Sequence, residues 1–191
     1  MLPISAAQRE TFFPPEVQDL QYWIGTPLTV FMRTEWIPFK FFDEKYVMLF
    51  EHPADSVGGD EHLPVHIEAF SKDFLIDPES RLMKFMHVDS TCANAYDPSH
   101  WHLSNKRYMF QFLGMLREVV ELHVDRNPHL TQYFYCPASP KLKNCYTWVY
   151  RKLSEDCNLS KFEPISAELG NFYGFQRKEF DQRGNFANET S

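Results

Sequence analysis

Two stretches of this chain carry apolar residues at helical spacing, and much of the rest falls into strand-sized apolar runs. Between 104 and 126, Met109, Phe112, Leu113, Leu116, Val119, Val120, His123 and Val124 recur at three- and four-residue steps. That spacing draws one apolar stripe along a helix, with Arg117 and Glu121 as an i,i+4 pair on the wet side. Ser104 is placed to cap the helix, and Asn127-Pro128 ends it. A second stripe, Leu142, Cys145, Tyr146, Val149 and Leu153, predicts a helix over 140–155, with Ser139 as cap and Pro140 in its first turn.

Shorter runs predict strands over 28–34, 37–42, 46–51, 65–70, 82–88 and 131–136, with weaker ones at 162–165 and 171–178. Asp43-Glu44-Lys45 reads as a hairpin loop, and Asp77-Pro78-Glu79-Ser80 as a turn. Pro38 is awkward inside a central strand, so its strand is expected at an edge or a bulge. Pro14-Pro15 followed by 16–24 predicts a short helix closed by Gly25. Strands, a long helix, a strand, a helix and final strands make an α+β protein whose mixed, mostly antiparallel sheet is flanked by helices. A single domain is expected over 1–180, with 181–191 a polar tail that frays.

Composition narrows the function classes. At 191 residues and 43% hydrophobic, the chain can bury a substantial core. A formal charge of −7 argues against a nucleic-acid partner, whose phosphates need Lys and Arg. The cysteines at 92, 136, 145 and 157 contain no C-x-x-C, so no zinc knuckle or redox pair is indicated. Apolar runs fall well short of the ~20 residues that span a bilayer. No basic-then-apolar leader opens the chain, so a cytoplasmic protein with reduced thiols is expected.

Several side chains could carry chemistry. Glu68 and Glu51 lie on expected strands, where a carboxylate raised in pKa by burial could deprotonate an attacking amine. The plain alternative for Glu68 is the solvent face of an alternating strand. His62 and His66, with Asp60 and Glu61 beside them, and the pair His100 and His102 suggest a metal. Pro64 argues against a helix there, and on a strand the first pair is too far apart to share an ion, so no metal is expected. Lys141, Lys143, Arg151 and Lys152 form a basic concentration that reads as a solvated helix face.

The run strand 82–88, helix 104–126, strand 131–136, helix 140–155, strand resembles the core of the GNAT acyltransferase family, in particular the divergent GNAT-like domains often encoded by bacteriophages. The resemblance rests on Val119-Val120-Glu121 with Asn127-Pro128, on Gln132-Tyr133-Phe134-Tyr135-Cys136, and on Lys143-Asn144 with Tyr150-Arg151-Lys152-Leu153. It covers about half the chain. It implies transfer of an acyl group from acetyl-CoA to an amine, with the co-substrate between strands 82–88 and 131–136. Tyr150 is then the acid that protonates the leaving thiolate, and the strand carboxylate Glu68 stands beside it as the candidate base.

Where the family places a glycine-rich loop around the CoA pyrophosphate, this chain reads Ser104-Asn105-Lys106-Arg107-Tyr108-Met109-Phe110. Side chains crowd the close backbone approach that glycines permit, which leaves Lys106 and Arg107 to act on phosphate by charge. A non-enzymatic reading stands beside the enzymatic one: a protein-binding or inhibitory module on the same scaffold. Its partner would meet exposed aromatics such as Trp23, Trp36, Trp101 and Trp148 and the loops 52–63 and 89–102.

Overall fold

The computed structural model describes residues 4–31, 33–52, 76–91, 108–135, 140–155, 162–166 and 173–178. In chain order these form α1 (Ala6–Phe12), a 3-10 turn (Pro15–Val17), β1 (Tyr22–Ile24), β2 (Leu28–Phe31), β3 (Thr34–Phe41), β4 (Glu44–Glu51) and β5 (Arg81–His87). There follow α2 (Met109–Arg126), β6 (Gln132–Tyr135), α3 (Pro140–Glu155), β7 (Phe162–Ser166) and β8 (Tyr173–Arg177). The strands form one sheet in the order β1-β3-β4-β5-β6-β8-β7, with β2 also on β3. Every pairing is antiparallel except β5 with β6. The α+β class with a mixed, mostly antiparallel sheet is therefore the observed one.

Three local expectations need correction or addition. Residues 16–24 are not a helix: after the turn, Tyr22–Ile24 pairs with β3. The buried Lys40 ammonium donates to the Gln18 carbonyl and approaches Val17 O at 3.5 Å, taking acceptors that a continuing helix needs. Pro38 sits in an interior strand, at the gap where β1 gives way to β2 along β3. Its carbonyl accepts the Gly25 N–H at 2.8 Å, so its nitrogen also faces that gap and no bond to β4 is lost. The N-terminal helix α1 was not anticipated. Its signature is Ser5-x-x-Gln8, a reciprocal capping box in which Gln8 N–H donates to Ser5 Oγ and Ser5 N–H to Gln8 Oε1.

Strand alternation sorts the core onto two faces. Ile37, Phe39, Met48, Phe50, Met83 and Tyr133 meet the α2 stripe on one side. On the other, Trp36, Val47, Leu49 and Met86 take Phe12 and Phe13 from the N-terminal segment. Trp36 is thus buried, not an exposed anchor, and packs tilted on Phe12 at 5.6 Å. Arg117 and Glu121 do pair along α2, at 3.4 Å.

A buried polar cluster fixes the C-terminal end of α2 to the sheet. His123 is fully enclosed and stacks on Phe50 with centroids 3.7 Å apart. Its Nδ1 lies 3.1 Å from the Tyr133 hydroxyl, and its Nε2 lies 2.8 Å from Glu35 Oε2 on β3. The second contact has ion-pair distance but falls short of hydrogen-bond alignment. A neutral ring with its proton on Nε2 suits both neighbours: Tyr133 donates to Nδ1, and Glu35 stays anionic. Asn127, the residue after α2, adds a bond to Glu35 Oε2 and another to the His123 carbonyl, each 3.1 Å.

The two ionisable members titrate in the same sense. Burial holds His123 below its ordinary 6.5, against the raising influence of Glu35 and with Arg81 and His129 adding repulsion. Contact with His123 holds Glu35 below 4.5, against opposing desolvation. Both folded values are depressed, so the unfolded chain binds these protons more readily. His123 contributes stability that is present above pH 6.5 and falls away in acid; the Glu35 contribution goes lower, below 4.5. Urea midpoints at pH 7.5 and 5.5 should drop for the natural chain and drop less for His123→Gln. Equal slopes in the two proteins would contradict this account.

Packing of the α2 stripe gives a second expectation. Leu113→Ala removes a buried side chain facing the sheet and should cost about 2–5 kcal/mol. Glu118→Ala, on the exposed side, should stay within about 0.5 kcal/mol. Denaturant titration with an unchanged slope measures both.

Candidate functional site

The sheet opens at its one parallel junction. β5 and β6 pair only at Arg81↔Tyr133 and Leu82↔Phe134. β5 then runs on to His87 with β4 on one side, from Phe50↔Met83 to Tyr46↔His87, while β6 ends at Tyr135 against Tyr173 of β8. From Met83 onward, among the described residues, β5 has no strand on the β6 side. Such a junction needs a crossover between its two strands, and α2 is part of it.

α3 closes over the opening. Tyr146 stands between the two diverging strands, stacked on Tyr135 of β6 at 4.5 Å and 5.9 Å from the Phe85 ring of β5. Phe85 also meets Phe112 of α2 edge-on at 5.9 Å. Beneath these rings lies a small apolar cavity lined by Met48, Met83, Leu116, Tyr135, Tyr146 and Val149 among others. About 10 Å³ of it is open to the centre of a water-sized sphere.

The residues expected to do chemistry are placed as follows. Tyr150 lies in α3, four residues after Tyr146, and its side chain is outside the described residues. Glu68, Lys106, Arg107, the pairs His62/His66 and His100/His102, Trp101 and the proposed cap Ser104 also lie outside them, as do nearly all of the loops 52–63 and 89–102. Glu51 is described, and it is a buried ion-pair partner: Lys84 Nζ donates to its Oε2 at 2.6 Å. Trp23 and Trp148 are half-buried. Among the described residues no group of three or more His, Cys, Asp or Glu is placed to hold a metal, and no helix is long and apolar enough to cross a membrane.

A second polar cluster, not singled out from the sequence, stands at the open end of β5. His87 is buried between two carboxylates. The Asp89 N–H donates to its Nδ1 at 3.1 Å, which leaves the ring proton on Nε2, 2.7 Å from Glu44 Oε2. The Asp89 carboxylate stands 3.7 Å from Nδ1 and is held by Arg9, whose other nitrogen donates to Val88 O at 2.9 Å. Tyr46 meets the ring edge-on at 5.2 Å, and burial, then the charge of Glu44, raises its phenol above the ordinary range. The sequence signal for this cluster was slight: a histidine closing a mostly apolar strand that also carries Arg81 and Lys84.

Glu35, His123 and Tyr133 were likewise missed as a group, since His123 reads as one more member of the α2 stripe. They lie at the opposite end of the parallel junction, and His123 and Tyr133 are fully enclosed. Their work is to hold α2 in place.

No family model and no curated protein matches the chain. Among solved structures it is similar to aminoglycoside acetyltransferase AAC(6')-Ib in three complexes. With ribostamycin and coenzyme A the identity is 14% and the TM-score 0.41, over 95% of this chain and 77% of that one. With paromomycin and acetyl-CoA the values are 13% and 0.42, over 95% and 78%. With coenzyme A and kanamycin they are 15% and 0.39, over 93% and 78%. None of the three is described as a bacteriophage protein. At such identity and TM-score the likeness says nothing of activity or substrate.

Proposed function

We propose that this chain is a divergent GNAT-like domain that transfers an acyl group from an acyl-CoA to an amine. The observation that supports it most is the short parallel junction of β5 and β6, opening after two residue pairs beneath α3. The apolar rings of Phe85, Tyr135 and Tyr146 beside the opening exclude water from a thioester. On the resemblance, Lys106 and Arg107 neutralise the pyrophosphate beside the start of α2, and Tyr150 donates a proton to the departing thiolate. Glu68 is the carboxylate that would act as base.

A second reading, a protein-binding or inhibitory module on the same scaffold, is favoured by one feature. The Tyr146 ring already fills the space between Phe85 and Tyr135, where a pantetheine arm has to pass. Acetyl-CoA binding separates the two. Calorimetry at low salt should detect binding that weakens steeply as salt rises, because side-chain ion pairs at a wet site are screened. No heat at millimolar ligand supports the binding module instead.

Turnover gives the sharper test of roles. Tyr150→Phe should lower kcat about 100-fold, within the range for loss of a general acid, and leave acetyl-CoA affinity within about two-fold. An unchanged kcat removes Tyr150 from the chemistry.

A further inference from the structure

We propose that the cleft between the N-terminal segment, the β3–β4 hairpin and the end of β5 binds a free α-amino acid, its ammonium at Asp43 and Glu44 and its carboxylate at Lys45. The site lies on the β4 side of β5, away from the parting of β5 and β6, and does not depend on the acyl-CoA reading.

The cleft has a volume of about 270 Å³, just below the range of pockets that hold drug-sized ligands, so it suits a small molecule. Phe13 and Val88 give it an apolar wall, and Arg9, Asp43, Glu44, Lys45, His87 and Asp89 bring charge and hydrogen bonds. Most of these groups satisfy one another. Arg9 is paired with Asp89 and donates to Val88 O at 2.9 Å. The buried His87 ring is engaged at both nitrogens, with Glu44 Oε2 2.7 Å from Nε2 and the Asp89 N–H donating to Nδ1. Two charges are left over. Among the described residues, the exposed Asp43 carboxylate has no hydrogen bond or ion pair. Lys45 has no carboxylate within ion-pair reach among them: its Nζ donates to Gln18 Oε1 at 2.7 Å and lies 5.5 Å above the Phe13 ring. Those two contacts hold the ammonium on the cleft wall and leave it further N–H donors.

The charge pattern selects the ligand. An anion such as phosphate would face three carboxylates against two cations, one of them already held by Asp89. A divalent cation lacks a ligand set, because among the described residues no group of three or more His, Cys, Asp or Glu is placed to hold a metal. A neutral molecule leaves Asp43 and Lys45 without counter-charges. A molecule with an ammonium and a carboxylate on one carbon gives each a partner of opposite sign. The Phe13 and Val88 wall favours an apolar side chain, of which leucine is the simplest probe.

The test is an NMR titration of the isotope-labelled chain with L-leucine, and with isoamylamine and 4-methylpentanoate, which keep only its ammonium or only its carboxylate. Leucine should shift the amide signals of residues 43–45 and 87–89 saturably, with a Kd of about 1 mM. Each half-molecule should bind at least about five-fold more weakly, the loss of one half-exposed ion pair. Asp43→Asn should weaken leucine about five-fold and leave 4-methylpentanoate unchanged; Lys45→Gln should weaken leucine equally and leave isoamylamine unchanged. Undisturbed signals elsewhere in the spectrum check that both variants fold, and the half-molecules test the natural chain without any substitution. Either half-molecule binding as tightly as leucine makes this a site for one charge and overturns the amino acid. Leucine binding that both variants leave unchanged, or shifts confined to other residues, overturns the placement. Absence of a saturable shift with leucine at tens of millimolar overturns the site.

Discussion

A parallel strand pair in an otherwise antiparallel sheet is the constraint from which the rest of this structure follows. β5 and β6 run the same way, so the chain between them has to cross over, and α2 is the described part of that crossing. The junction holds for two residue pairs and then lets the strands part. The gap does not stay open to water: α3 lies over it and Tyr146 enters between Phe85 and Tyr135. The proposed acyl transfer depends on what else can enter there.

The two ends of the junction are built from different chemistry. At the paired end, Glu35, His123 and Tyr133 are locked together under Phe50, and their mutual contacts keep α2 seated on β3 and β6. At the open end, His87 lies between Glu44 and Asp89, and Arg9 ties Asp89 to the N-terminal helix. The first histidine is wrapped in rings and serves position. The second stands between two carboxylates at the end of its strand.

What the sequence made legible was local. The α2 and α3 stripes, the Ser139-Pro140 start and the Asn127-Pro128 stop each depend on residues within a few positions of one another, and the observed helices end at Arg126 and begin at Pro140 accordingly. The failures involve partners distant in the chain. Residues 16–24 carry helical spacing, but the strand edge of β3 and the buried ammonium of Lys40 claim that backbone instead. Trp36 looked available because nothing nearby in the chain covers it; Phe12 does. The Ser5–Gln8 capping box was local and readable, and was missed because the turn of apolar residues behind it is so short. His123 meets Glu35 only because α2 packs on β3, and His87 meets Glu44 only through the pairing of β4 with β5.

The central claim, that the parting of β5 from β6 is a ligand cleft, is tested most directly by amide hydrogen exchange with and without acetyl-CoA at low salt. Slower exchange on adding ligand, concentrated in residues 83–87 and 132–135 and absent from β2 on the far side of the sheet, is the predicted result. Exchange unchanged in both segments at millimolar ligand would contradict it.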